Sequence, residues 1–154
     1  MKTATTDATP GRAEPGLMAA VMRLQLLVSA QLGAITEGHG IALADYLVLG
    51  VIRRSANGVA SPSAICEVLH RTSGGMTLTL DRLEGAGWLA RSPDPHDRRK
   101  VSIALTGRGR RLAVAVNDDL HKWEHALDLG STRLRHIVTV VDEIADVLER
   151  PARP

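Results

Sequence analysis

The spacing of apolar residues divides the chain into six helical segments, with one stretch of strand periodicity between the fourth and fifth. The first segment follows Pro15, ends near Gly38 and carries two apolar flanks, which indicates two packing neighbours. Further stripes predict helices over residues 43–55, 61–70, 73–85, 106–129 and 131–150, most of them bounded by capping residues or glycines.

The alternating stretch predicts a hairpin. Val101, Ile103 and Leu105 alternate with small or polar residues, and residues 88–92 have the composition of a partner strand. Pro93 and its neighbours provide turn chemistry between the two. We therefore expect a mainly α fold with a small two- to three-stranded antiparallel wing.

The last helix carries a heptad seam, because its apolar residues step by three and four positions. This seam and the start of the first helix predict a homodimer interface, and the alternative is that both pack only within one subunit. The residues expected at the interface are Leu17, Val21, Leu134, Ile137, Val141, Ile144 and Leu148.

The third and fourth helices are short, adjacent and joined by a tight turn, which predicts a helix-turn-helix in which the fourth is presented to DNA. If Met76, Leu80 and Leu83 face inward, the opposite face is the DNA-contacting one. Its candidate residues are Thr72, Ser73, Gly74, Gly75, Thr77, Leu78 and Arg82.

The side chains of three of these candidates suit particular chemical groups of DNA. Thr77 is suited to a base edge or phosphate, Arg82 to phosphate, and Leu78 to a thymine methyl group. Gly74 and Gly75 cost about 1 kcal/mol each relative to alanine, which close approach of the backbone to DNA explains. The alternative for the glycines is a frayed helix start.

Charge is concentrated at the hairpin rather than spread over the chain. Residues 91–111 contain seven lysines and arginines against two aspartates, although the formal net charge is only +2. A basic patch of this kind indicates a polyanion partner, and a solvated charged loop is the alternative. We expect Arg98, Arg99 and Lys100 to enter a DNA groove, with Asp97 orienting a neighbouring arginine through an ion pair.

These motifs resemble those of the multiple-antibiotic-resistance regulator (MarR) family. The resemblance rests on residues 61–69, 72–77, 80–84 and 87–89, and on Asp97, Arg99, Ile103, Leu105 and Thr106 in a D-x-R-x-x-x-[VI]-x-L-T pattern. It implies a triangular dimer with one winged domain on each half-site and a wing arginine, Arg98 or Arg99, in the minor groove. The chain departs from many relatives at Leu78 and Thr79, where they have a basic or amide residue.

The resemblance and the helical pattern together predict one folded unit over residues 14–150. We expect dimerisation helices at 14–38 and 107–150, a winged helix-turn-helix at 42–106, and tails at 1–13 and 151–154. No apolar run is expected to reach the roughly 20 residues of a membrane helix, so a cytoplasmic protein is predicted. The lone Cys66 is expected to be a small core residue.

The resemblance also implies a small amphipathic or aromatic effector. The side chains expected to line its pocket, between the dimerisation helices and the winged domain, are His39, Tyr46, His121, Trp123 and His125. The pair His121 and His125 has helical spacing but no third ligand, so neither a metal nor another cofactor is expected.

The leading hypothesis is a homodimeric transcription regulator, with repression as the expected mode, that binds a pseudo-palindromic DNA operator. The alternative is a winged-helix module that binds protein or a small molecule without specific DNA recognition. No nucleophile with a base, paired carboxylates or phosphate-binding loop is recognisable, so we expect no enzyme.

Overall fold

The computed structural model describes residues 16–94, 97 and 99–150, which form six α-helices and three short strands. In chain order they are α1 Leu17–Gly38, α2 Leu43–Arg54, β1 Val59–Ala60, α3 Pro62–Val68, α4 Ser73–Gly85, β2 Leu89–Pro93, β3 Val101–Leu105, α5 Gly107–Ala126 and α6 Ser131–Glu149. The predicted class, mainly α with a small antiparallel wing, is confirmed. The tails predicted at 1–13 and 151–154 lie outside the described residues.

Helices α3 and α5 start with the predicted capping chemistry. The Ser61 hydroxyl accepts a hydrogen bond from the amide of Ala64 at 3.2 Å, and Pro62 occupies the first turn of α3. The Thr106 hydroxyl accepts from the amide of Gly109 at 3.0 Å at the start of α5. Polar caps satisfy amide groups that the first helical turn leaves without partners, which explains why these two helices begin where they do.

The wing is a three-stranded antiparallel sheet in the order β1-β3-β2. Strands β2 and β3 pair from Leu89 opposite Leu105 to Pro93 opposite Val101. The third strand, β1, joins the other side of β3. Two residues carry no alternating pattern, so the sequence periodicity gives no sign of β1.

The core lies between α2, the helix-turn-helix and the base of the wing. Val48, Leu49 and Ile52 of α2 have no exposed surface, and α2 contacts α1, α3, α5, β1 and β3. The inward residues expected on α4, Met76, Leu80 and Leu83, are also buried. The core therefore holds α4 by one face and leaves its other face outside.

A close backbone approach fixes α5 against the start of β2. A Cβ at Gly109 would overlap the carbonyl oxygen of Trp88 and lie 2.8 Å from its carbonyl carbon. The Thr106 hydroxyl also donates to the carbonyl of Gly87 at 2.7 Å, so the capping residue of α5 ties the helix to the same loop. Only glycine fits this crossing without movement of one segment.

Helices α1 and α6 keep large apolar surfaces outside the core of the single chain. In α1 the exposed apolar side chains are Leu17, Met18, Met22, Leu24, Leu26 and Leu27. None of the residues of α6, a helix that the structure describes in full, is buried. Contiguous apolar surface of this extent is typical of an interaction face.

The expectation that no apolar run reaches membrane-helix length was wrong for α1. Its 22 residues include an 18-residue window of mean hydropathy 1.5, long and apolar enough by composition to cross a membrane. Such a helix is weak evidence for a membrane span, because the core helix of a soluble protein and a signal sequence have the same length and composition.

Candidate nucleic-acid interface

The exposed face of α4 contains most of the residues that were expected to contact DNA. Thr72 precedes the helix and is exposed as well. The exposed residues of α4 are Ser73, Gly74, Gly75, Thr77, Leu78, Asp81, Arg82 and Gly85. Because α3 packs against α4 from behind, the pair has the geometry of a support helix and a presented helix.

Glycines leave the first turn of α4 open. A Cβ at Gly74 would meet nothing within 4 Å, and one at Gly75 would meet only the Thr72 hydroxyl at 3.6 Å. The Thr72 side chain makes no capping hydrogen bond to α4. Amide groups in the first turn of a helix are donors for phosphate oxygens, so this end of α4 is suited to a close approach of DNA backbone.

Two polar side chains on this face are already engaged within the chain. The Thr77 hydroxyl donates to the carbonyl of Ser73 at 3.1 Å. Arg82 donates from Nε to Asp45 Oδ2 at 3.0 Å and from Nη2 to Asp45 Oδ1 at 2.5 Å. The sequence placed Arg82 free for phosphate, whereas the structure directs its guanidinium to a carboxylate of α2.

The Asp45–Arg82 pair is asymmetric in burial. The Asp45 side chain is only 5% exposed and that of Arg82 is 58% exposed. Hydrogen bonding to Asp45, followed by the charge of its carboxylate, raises the pKa of Arg82 above its ordinary value. A buried carboxylate without its cation is costly, so we interpret Arg82 first as the partner that Asp45 requires.

Arg91 on β2 joins the wing to α4. Its Nη1 lies 2.6 Å from Asp81 Oδ1 and donates to Glu84 Oε2 at 3.1 Å. Its backbone amide donates to Glu84 Oε1 at 3.2 Å. The sequence counted Arg91 in the basic patch, but its charge is matched by these two carboxylates, and we call this three-residue cluster the Arg91 clasp.

The wing tip is organised by two aspartates. Asp94 Oδ1 accepts from the amide of Asp97 at 3.1 Å, and Asp94 Oδ2 accepts from the Ser102 hydroxyl at 3.0 Å. Asp97 Oδ1 accepts from the amide of Arg99 at 3.1 Å, and its other oxygen lies 3.7 Å from Lys100 Nζ. The ion pair that the structure describes for Asp97 is thus with Lys100 rather than an arginine.

The tip residues Arg99 and Lys100 are exposed. Arg98 lies outside the described residues. Arg110 of α5 donates from Nη1 to the carbonyl of Leu105 at 2.7 Å and so supports the base of the wing. The basic stretch therefore contains arginines with structural contacts, 91 and 110, exposed cations at the tip, and the exposed Arg108 and Arg111 on α5.

A cavity of about 610 Å³ lies between α3, the start of α4 and the end of the wing. Its lining residues are Ser61, Pro62, Ser63, Cys66, Ser73, Met76, Thr77, Lys100 and Val101. Cys66 packs against the core as expected, but it is only partly buried, because one side of it lies in this wall. The cavity is next to the candidate DNA-contacting face.

The five residues expected to line an effector pocket are not brought together. Tyr46 is buried in the core, and none of the five lines the 610 Å³ cavity. His125 lines a small cavity of about 250 Å³ between α5 and α6. The ring of His121 lies 3.3 Å from Glu124 on the exposed side of α5, and Trp123 is half-buried.

His39 ties the end of α1 to α5. Its Nε2 lies 2.9 Å from Asp119 Oδ2, and Lys122 donates to Asp119 Oδ1 at 2.7 Å. Hydrogen bonds, from Lys122 first and then from His39, lower the pKa of Asp119. The same bond with Asp119 raises the pKa of Lys122.

No group of three or more histidine, cysteine, aspartate or glutamate side chains suited to a metal ion occurs within the described part of the chain. The polar residues described above make hydrogen bonds and ion pairs with one another.

Asp45, Glu84 and the structural role of Arg91 escaped the sequence reasoning. The available signal for Asp45 was a lone carboxylate among apolar residues in the first turn of a helix. The sequence shows the members of the clasp, carboxylates at positions 81 and 84 and an arginine on the next strand, but no pattern that pairs them. Spacing alone does not show that these groups meet.

Sequence comparisons identify relatives of one kind. The model of the MarR family matches residues 39–100. The HTH-type transcriptional regulator PecS of Dickeya dadantii is 37% identical over 108 residues, covering 69% of this chain and 65% of that protein. The HTH-type transcriptional regulator PapX of Escherichia coli is 30% identical over 114 residues, covering 71% of this chain and 70% of that protein.

Solved structures agree with these relatives. The wild-type MarR of E. coli in its apo form is 26% identical with a TM-score of 0.70, covering 83% of this chain and 96% of that one. A mutant MarR of E. coli complexed with operator DNA is 27% identical with a TM-score of 0.65, covering 82% and 94%. PecS and PapX are named as transcriptional regulators, in agreement with the prediction that the chain is not an enzyme.

Proposed function

Because this chain belongs to the MarR family, we propose that it is a double-stranded DNA-binding transcription regulator that presents α4 to the major groove and the wing tip to the adjacent minor groove. The observation that carries the proposal is the joint exposure of the α4 face and of Arg99 and Lys100, on elements that the Arg91 clasp holds together. The operator complex of the related MarR supports the same role.

The proposed binding unit is a homodimer on a pseudo-palindromic operator. The apolar side chains of α1 and α6 support this, because many of them are exposed in the single chain. The proposed interface includes Leu17, Val21, Leu134, Ile137, Val141, Ile144 and Leu148. Two winged units on one duplex face imply half-sites about one helical turn apart.

The wing is tested by neutralising its tip. The double substitution Arg98→Ala with Arg99→Ala is expected to weaken binding to promoter fragments in fluorescence anisotropy. The slope of log affinity against log salt should fall by about 0.9 for each phosphate group that the variant no longer neutralises.

The matched control is Arg133→Ala with Arg135→Ala on exposed positions of α6, which removes the same charge far from the wing. Equal slopes for the parent and the wing variant would reject the assignment of the wing. No binding above nonspecific background by the parent would instead favour a protein- or ligand-binding module without DNA recognition.

We also propose that a small amphipathic or aromatic effector changes DNA binding from the 610 Å³ cavity. Its walls belong to α3, α4 and the wing, so an occupant would touch both DNA-contacting elements. Small aromatic carboxylates should release a bound duplex, and Ser63→Trp should block this by filling the cavity. Ala64→Trp, on the same helix but outside the lining, should remain responsive; equal responses would reject the site.

The proposed location is the cytoplasm, where a bacterial-type regulator meets DNA. Whether bound protein represses or activates depends on where it lies relative to a promoter, and repression is the form we propose.

A further inference from the structure

The outward face of α4 is unusual for a helix that reads DNA, because the polar side chains beyond Ser73 at its start are already engaged. Among the residues of α4, all of which the structure describes, the Thr77 hydroxyl bonds to Ser73, Asp81 pairs with Arg91, and Arg82 pairs with Asp45. The chain has no asparagine, glutamine or lysine in this helix. The amide and guanidinium groups that bind adenine or guanine edges in two-point contacts are therefore missing or occupied.

Leu78 is the most exposed large side chain at the centre of that face. It is 70% exposed, although leucine usually loses most of its surface on folding. It lies one helical turn after Gly74, where a Cβ would meet nothing within 4 Å. The next residue, Thr79, is buried, and its hydroxyl donates to the carbonyl of Gly75, so it does not share the exposed face.

The surface around Leu78 stays apolar because its neighbours Thr77 and Asp81 have their polar groups paired within the chain. The Thr77 hydroxyl donates to the helix backbone, so its methyl group is the part of the side chain suited to an apolar contact. The charge of Asp81, one turn further on, is neutralised by Arg91 at 2.6 Å. An apolar centre flanked by glycine is suited to close contact with another apolar group.

The apolar group that the major groove offers is the C5-methyl of thymine. We propose that α4 recognises its half-site through thymine methyl groups, with Leu78 as the specificity-determining residue and the Thr77 methyl as a secondary contact. The inference rests on the proposed function and refines it: the half-site contains thymine where Leu78 enters the groove, and its selectivity is apolar.

The test uses a duplex enriched by the full chain from a random-sequence library. Thymidine in the enriched half-sites is replaced by deoxyuridine, which removes the methyl group and keeps base pairing. Affinity should fall about fourfold for each methyl group that Leu78 or Thr77 contacts, the change expected when one buried methyl-sized group is removed. Deoxyuridine outside the half-sites should have no effect.

The variant Leu78→Ala separates this contact from any effect of uracil on DNA shape. Because Leu78 is exposed, the variant should fold normally, bind more weakly and lose most of the discrimination between the two duplexes. Val114→Ala, at a half-exposed valine of α5, should keep full discrimination.

Equal affinity of the parent chain for both duplexes, or undiminished discrimination by Leu78→Ala, would overturn the inference while leaving DNA binding intact. Failure to enrich any duplex would overturn the inference and the proposed function together.

Discussion

Single residues in this chain often serve the scaffold where their type suggests ligand contact. Arg82 balances the charge of Asp45, Arg91 joins β2 to α4, and Thr77 donates a hydrogen bond to its own helix. A cation on a DNA-binding helix is therefore not by itself a phosphate contact. Which residues hold the interface and which touch DNA follows from their partners.

Among the glycines that the structure describes, Gly109 has the least room for a side chain. We expect Gly109→Ala to lower the free energy of unfolding by about 1–3 kcal/mol or more, because the added methyl overlaps the Trp88 carbonyl and forces α5 away from β2. Urea denaturation measures this. Gly107→Ala is the control: its Cβ would lie 3.6 Å from Arg111, so it should be neutral or slightly stabilising. Equal destabilisation in both variants would contradict the close approach of α5 to the Trp88 carbonyl.

Asp119 gives the fold a dependence on acid pH. Its folded pKa lies below the unfolded value of about 3.9, so its contribution is complete above that pH and is lost as pH falls through the folded pKa. Urea titrations of the parent and Asp119→Asn between pH 6 and about 2.5 should show a stability difference that shrinks with acid. Asp118→Asn is the control, and a difference that stays constant with pH would contradict the assignment.

At the scale of elements, the wing and α4 act as one unit because the Arg91 clasp joins them. Asp81 and Glu84 lie one turn apart on α4, and both meet Arg91 on β2. Asp94 and Asp97 order the tip beyond it. The orientation of the tip cations relative to α4 thus depends on contacts that do not themselves touch DNA.

Arg91→Met should therefore weaken DNA binding by releasing the wing from α4. In a double-mutant cycle with Arg99→Ala we expect a coupling of about 0.5–3 kcal/mol, because the single variant already weakens the hold of the wing on DNA. Anisotropy with one duplex at fixed salt measures all four affinities. Arg111→Met, at an exposed arginine of the same basic stretch, should be additive with Arg99→Ala. Additivity of Arg91→Met with Arg99→Ala would rule out a role of the Arg91 clasp in DNA binding by the wing.

The sequence predicted the elements well and their side-chain contacts poorly. Capping by Ser61 and Thr106 and the apolar stripes are local signals, so the helices begin and end near where the pattern places them. The strand β1 and the Asp45–Arg82 pair depend on residues about 40 positions apart. The exposed face of α4 was predictable from the helical period, but the engagement of Arg82 was not.

For the whole molecule, the exposed apolar helices are the dominant feature. The heptad residues of α6 are apolar, and those at 134, 137, 141 and 148 are exposed in the single chain. The start of α1 lies close to the end of α6, since Leu17 and Leu148 line the same groove. One continuous apolar surface at the two chain ends is where a second copy is expected to pack.

Light scattering at micromolar concentration should give twice the mass of the chain. Ile137→Glu with Val141→Glu should yield monomers and greatly reduce DNA affinity, because charges would be buried in the seam and two half-sites would no longer be bound together. Thr139→Glu, on the opposite side of α6, should remain dimeric. A dimer that survives the double substitution would place the interface elsewhere.

The most direct test of the account is selection of bound duplexes from a random-sequence library by the full chain. Two winged units related by a twofold axis predict an inverted repeat whose half-site centres lie about 10 base pairs apart. Enrichment of a single unrepeated site, or of no sequence at all, would contradict the claim that a dimer reads both half-sites with α4 and the wing.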